Sequence, residues 1–189
     1  ASKLVLTLTE QALSTLDDDH QAIGVIVNRV ATAREVEHTL RNKLTDKKFA
    51  EQHPKAQVHL VIGRMRPLDR DKLQATLRDL VGPDRPESLD HPVFVVATQC
   101  LEVGADYDFD ALVTECAPID ALRQRFGRLN RKGRDIQAAA RILTSDTALK
   151  GDDPVYGNAI QHTWDWLTRD DRQQIDLGIA AFDELWNAV

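Results

Sequence analysis

At 189 residues the chain can bury a full core in one domain, with room for a small appendage. Its 42% hydrophobic and 29% charged residues are those of a soluble globular protein, and a formal net charge of -6 excludes one that coats nucleic acid through overall charge. No apolar run approaches the ~20 residues of a membrane span and no secretory signal is visible, while two cysteines, Cys100 and Cys116, suit a reduced, cytoplasmic setting.

In chain order, the opening Ala-Ser-Lys runs almost directly into an apolar pattern, as expected of a domain excised from a larger protein. Lys3 to Leu8 alternates apolar residues and predicts a first strand, with a short helix from Thr9, as N-cap, to Leu16. Ile23 to Val27 is a continuous run of the kind buried on both faces of a parallel sheet, and Ala33 to Leu44 has helical periodicity. The pattern repeats with a strand at Val58 to Ile62, a turn at Gly63 to Pro67, and a helix from Leu68 to Leu80 that turns Leu73, Leu77 and Leu80 inward. A breaker-rich loop, Gly82 to Pro86, precedes strands at Val93 to Ala97, Ala111 to Glu115 and Ala138 to Leu143. Strands alternating with helices predict a three-layer α/β/α domain around a mainly parallel sheet of about six strands. Two amphipathic helices follow, Tyr156 to Leu167 and Gln173 to Val189, so residues 1–150 are expected to form the domain and 151–189 a helical extension or the start of the next one.

In such a sheet, ligands bind beyond the carboxyl ends of the strands. Those ends carry Asn28-Arg29, Gly63-Arg64 and Thr98-Gln99, a polar rim suited to a phosphate-bearing ligand. The most informative stretch is Gln124 to Arg134, which packs four arginines and a lysine into an otherwise acidic chain. Arg125, Arg128 and Arg131 recur every third residue, so on a helix they would form a tilted stripe, with Gly127 clearing its flank and Gly133 marking the helix stop. Guanidinium forks suit phosphate oxygens. The spacing fits both a polyphosphate site and a solvated basic helix face.

Several chemistries lack their residues. No Gly-x-x-x-x-Gly-Lys-Ser/Thr loop occurs, and no acidic magnesium motif follows any strand. The six histidines form no metal-ligand spacing; Asp19-His20 and Asp90-His91 read as turns, and the cysteines as core or near-core residues. No Gly-x-Gly-x-x-Gly marks a dinucleotide site.

Two stretches taken together go further. Thr98-Gln99-Cys100-Leu101-Glu102-Val103-Gly104-Ala105-Asp106-Tyr107-Asp108-Phe109-Asp110 is followed by Ala117-Pro118-Ile119-Asp120 and then Gln124-Arg125-Phe126-Gly127-Arg128-Leu129-Asn130-Arg131. In this order they resemble the final two motifs of superfamily 2 helicases, and their wording is most similar to the CRISPR-associated helicase-nuclease recruited by Cascade in type I interference. The resemblance covers the second RecA-like domain, from the Ile23 strand to the Leu143 strand. It implies that Arg128 and Arg131 are arginine fingers reaching the γ-phosphate of ATP, that Gln124 orients the phosphate or attacking water, and that Gly104, Asp106 and Arg125 lie at the nucleotide. It further implies that Thr98, Gln99, Asn28, Arg29 and Arg64 lie along a nucleic-acid strand; at Arg64 the family's usual His-Ser-Arg is replaced by Ile62-Gly63-Arg64. The partners implied are a P-loop RecA-like domain holding Mg2+ and ATP, single-stranded DNA, Cascade, and a His-Asp nuclease domain. Another DNA-repair or RNA helicase, or a non-catalytic RecA-like interaction domain, would share most of these features.

Overall fold

The computed structural model of the chain describes residues 1–63, 66–101, 106–151 and 153–169. The strands are β1 Ala22–Ile26, β2 Gln57–Val61, β3 Val93–Ala97, β4 Ala111–Glu115 and β5 Ala139–Leu143. The helices are α1 Lys3–Thr15, α2 Val30–Leu44, α3 Lys47–Gln52, α4 Pro67–Val81, α5 Ile119–Phe126 and α6 Ala159–Leu167. All pairings in the sheet are parallel, in the order β2-β3-β1-β4-β5. The sheet has five strands among the described residues where the sequence predicts about six.

Burial explains the order. Every residue of β1, β3 and β4 is buried, β1 and β3 as apolar runs and β4 with Thr114 and Glu115 at its carboxyl end; the edge strands β2 and β5 are mostly half-buried. Alternate residues feed two separate cores. Ile23, Val25, Phe94, Val96 and Val113 face α1 and α2, where Val5, Leu8, Val36 and Leu40 meet them. Ala22, Ile26, Val93, Val95 and Leu112 face the other layer, built from α4, α5, α6 and the segment Tyr107–Phe109. Gly24 lies on that second face, where an added Cβ would stand 2.9 Å from the Phe109 ring and 3.0 Å from Leu112. Here glycine is needed for close approach, letting an aromatic ring lie against the sheet backbone.

The amino-terminal strand is a correction. Lys3 to Leu8 is helical, part of α1, and Ser2 rather than Thr9 is the N-cap, its hydroxyl accepting the Val5 N–H at 3.3 Å. Over a longer window the buried residues Val5, Leu8, Thr9, Ala12 and Thr15 follow the helical period, which six residues could not separate from alternation. Thr9 instead donates its hydroxyl to the Val5 carbonyl at 2.8 Å inside the helix. The short α3, capped by Asp46, has no buried residue and hence no apolar signature in the sequence. Elsewhere the helices move by a few positions: α2 begins at Val30 and α6 at Ala159. Leu77 is fully buried as expected of α4, with Leu73 and Leu80 packed against the core. Ile160 and Leu167 of α6 join the same core, while the expected helix from Gln173 to Val189 lies outside the described residues.

Candidate nucleotide and nucleic-acid site

The rim is held together by a polar network centred on Asn28, which is 2% exposed. Its backbone N–H donates to Glu115 Oε2 at 2.8 Å, its side-chain amide to the Cys116 carbonyl at 2.8 Å, and its carbonyl accepts from Gln99 Nε2 at 2.9 Å. Arg125 completes the set, donating to Asn28 Oδ1 at 3.0 Å, Thr114 Oγ1 at 3.0 Å and the Glu115 carbonyl at 2.9 Å. Burial pushes the Glu115 carboxyl above the usual carboxylate range, against the opposing pull of the Asn28 N–H and Arg29. Burial likewise pushes the Cys116 thiol up to about 12, which makes it an inert core group.

This network sorts the expected nucleic-acid residues. Arg29 is exposed at the start of α2 and Gln99 is half-buried, so both are within reach of a ligand. Asn28 and Thr98 are interior, with the Thr98 hydroxyl 3.6 Å from Cys100 Sγ. Arg64 and Gly104 lie outside the described residues.

The arginine stretch does not form a stripe. Helix α5 stops at Phe126 with Gly127 as its C-cap, so the three-residue spacing crosses a helix end: Arg125 turns inward while Arg128 and Arg131 remain neighbours beyond it. Arg125 is 0% exposed, its guanidinium fixing α5 to the sheet through Asn28, Thr114 and Glu115. Arg128 is half-buried and donates from Nε to the Leu101 carbonyl at 3.3 Å; burial and the neighbouring Arg131 lower its pKa, with Asp106 opposing. Arg131 is exposed and ion-paired with the exposed carboxylate of Asp106. Gln124 is exposed on the last turn of α5. Gly133 sits in a turn beyond the helix with φ 66°, and Asn130 adopts φ 41°, a conformation its side chain supports by accepting the Arg134 N–H at 2.8 Å.

The segment before β4 carries this loop. Phe109 donates to the Arg128 carbonyl at 2.8 Å and accepts from the Asn130 N–H at 2.7 Å, forming a parallel bridge with Leu129. Beneath it lies a buried charge cluster absent from the sequence reading. Asp108 accepts the Arg131 backbone N–H at 2.7 Å and Arg134 Nη1 at 2.8 Å; Asp110 accepts Arg134 Nη2 at 2.9 Å and pairs with Arg85. The alternation Asp106-Tyr107-Asp108-Phe109-Asp110 beside a buried strand was the available signal, because acids between core aromatics need cationic partners. Arg85, in the breaker-rich loop after α4, had none.

Chemically, Arg128, Arg131 and Asp106 bring a half-buried guanidinium, an exposed guanidinium and a carboxylate together, while Gln124 offers an exposed amide on α5. Forked guanidinium donors suit phosphate oxygens, and a carboxylate can accept from a hydroxyl. Among the described residues no group of three or more His, Cys, Asp or Glu is placed to hold a metal ion. No described helix is long and apolar enough to cross a membrane.

The family model of the CRISPR-associated nuclease/helicase Cas3 C-terminal region matches residues 19–134. The Cas3 nuclease/helicase of Streptococcus thermophilus is 30% identical over 114 residues, covering 60% of this chain and 11% of that protein. The crystal structure of T. fusca Cas3-ATP superposes with a TM-score of 0.72 at 23% identity, over 100% of this chain and 23% of the other. A chain of a pre-nicking CRISPR RNA-guided surveillance complex superposes with a TM-score of 0.64 at 20% identity, over 96% of this chain and 23% of that one. The chain thus spans a small part of each relative. With more than half its residues matched by the family model, and with the parallel sheet and motif order in agreement, the chain belongs to the family of Cas3 helicase C-terminal domains.

Proposed function

We propose that this chain is the second RecA-like half of an ATP-dependent motor that moves along and unwinds DNA in type I CRISPR interference. Arg128 and Arg131 act as fingers at an ATP site whose P-loop and Mg2+ ligands belong to another domain. The observation that carries this reading is the placement of Arg131: it is exposed beside Asp106 while its backbone is tied into the domain's interior. A guanidinium on such a mount can reach across a cleft and meet charge that develops on a phosphate, an effect of roughly 10³–10⁵ in rate in phosphoryl-transfer enzymes.

Within the proposed site, Gln124 orients the phosphate or attacking water, and Asp106 with Gly104 faces the ribose. The Asp106 carboxylate holds Arg131 by an exposed ion pair, a contact worth about 0–1 kcal/mol and easily exchanged for a ligand. Arg29 and Gln99, with Arg64, contact the backbone of a single DNA strand, giving affinity without sequence reading. Asn28, Thr98 and Arg125 support that rim from inside. Cascade and a His-Asp nuclease domain complete the assembly.

The reading is tested by mixing the chain with a P-loop domain from the same enzyme. The pure chain is expected to have no ATPase activity, and the mixture to hydrolyse ATP in a DNA-dependent manner that weakens with salt. Turnover by the chain alone, or no turnover from a mixture shown to associate, would sink the reading.

A further inference from the structure

We propose that Asp108 is the positioning residue for Arg131, braced in turn by Arg134 and Arg85. The inference rests on the reading of Arg131 as a finger and concerns what holds it in place.

The Arg131 backbone lies in neither helix nor strand. Pairing with Phe109 ends at Asn130, whose left-handed conformation turns the chain, and the next N–H is taken by a side chain. Asp108 Oδ1 receives that N–H at 2.7 Å, a charge-assisted bond from a carboxylate that is 0% exposed. Its other oxygen receives Arg134 Nη1 at 2.8 Å, and its main-chain carbonyl receives Arg85 Nε at 3.2 Å.

The line of contacts continues into the sheet. The second Arg134 nitrogen reaches Asp110 Oδ1 at 2.9 Å, and Asp110 Oδ2 accepts the N–H of Ala22, the first residue of β1, at 2.8 Å. Arg85 pairs with the same Asp110. Two carboxylates and two guanidiniums therefore balance inside the protein and connect the finger loop to the central strand. The Arg131 side chain is exposed and tied by a surface ion pair to Asp106, whereas its backbone is anchored in the interior through Asp108. A misplacement of about 1 Å remote from the chemistry can cost about 10²-fold in rate.

The experiment uses the enzyme containing both this chain and its P-loop domain, with ATP and single-stranded DNA. Asp108→Asn is expected to lower kcat by about tenfold to a hundredfold, with the KM for ATP within about threefold of wild type. In an Arg131→Ala background the same change is expected to lower kcat no further, because its effect passes through Arg131. A purely structural role predicts equal proportional losses in both backgrounds, and that result, or a wild-type kcat in Asp108→Asn, would overturn the proposal. Arg134→Lys keeps the charge but loses the two-pronged contact; it should show the same pattern at smaller amplitude and replaces Asp108→Asn if that variant does not fold. A dead Arg131→Ala beside a fully active Asp108→Asn overturns the positioning alone. A wild-type kcat in Arg131→Ala removes the finger reading and this proposal with it.

Discussion

The Arg125 guanidinium donates to the Asn28 side-chain carbonyl at 3.0 Å, joining the last turn of α5 to the end of β1 inside the protein. An arginine from the basic stretch is thus a fastener between the helix that leads to Arg128 and Arg131 and the strand that leads to the rim. Arg125→Met keeps most of the volume but leaves acceptors on Asn28, Thr114 and Glu115 without that donor. Denaturant unfolding should show a loss on the order of 3 kcal/mol. An Arg125→Met chain as stable as wild type would refute the fastening role.

Gly24 tests how the loop carrying Arg128 and Arg131 is seated. A methyl there meets the Phe109 ring at 2.9 Å, and Phe109 is the residue that pairs with Leu129. Gly24→Ala is expected to destabilise the domain by about 1–3 kcal/mol, as overpacking of a close-packed core does. Thermal unfolding of the variant checks this; an unchanged midpoint would mean that the ring can shift freely.

His20 makes the fold sensitive to pH. Its Nδ1 lies 2.8 Å from Asp17 and its Nε2 lies 2.9 Å from the Gln137 carbonyl, so both nitrogens can donate only when the ring is charged. Burial pulls the imidazole down, but Asp17, the Gln137 carbonyl and Asp110 outweigh it and raise its pKa above the ordinary 6.5. The folded state therefore holds the proton more tightly than the unfolded chain. The resulting stability is fully present below the ordinary value and is lost as pH rises through the raised one. His20→Ala should cost more at about pH 5.5 than at about pH 8.5. An equal cost at both, measured by chemical denaturation, contradicts the assignment.

The parallel core was legible because its central strands are short and rich in apolar residues: Val93–Ala97 and Ala111–Glu115 are strands over those same residues. Helix α1 was not, since Lys3 to Leu8 satisfies both periods until the buried Ala12 and Thr15 are included. At the site, order along the chain was informative and direction was not. Nothing in the spacing of Arg125, Arg128 and Arg131 tells which is buried, because that depends on where α5 ends and on Asn28, far away in sequence. Asp108 and Arg85 were hidden for the same reason: they meet only once the loop after α4 folds against the lead-in to β4.

If Arg128 and Arg131 complete an ATP site on another domain, turnover needs both side chains and ATP binding needs neither. The most direct test is DNA-stimulated kcat, measured beside ATP affinity, in the two-domain enzyme carrying Arg128→Ala or Arg131→Ala. Turnover is expected to fall by at least about 10³-fold with ATP binding largely retained. A wild-type kcat in either variant would contradict that role.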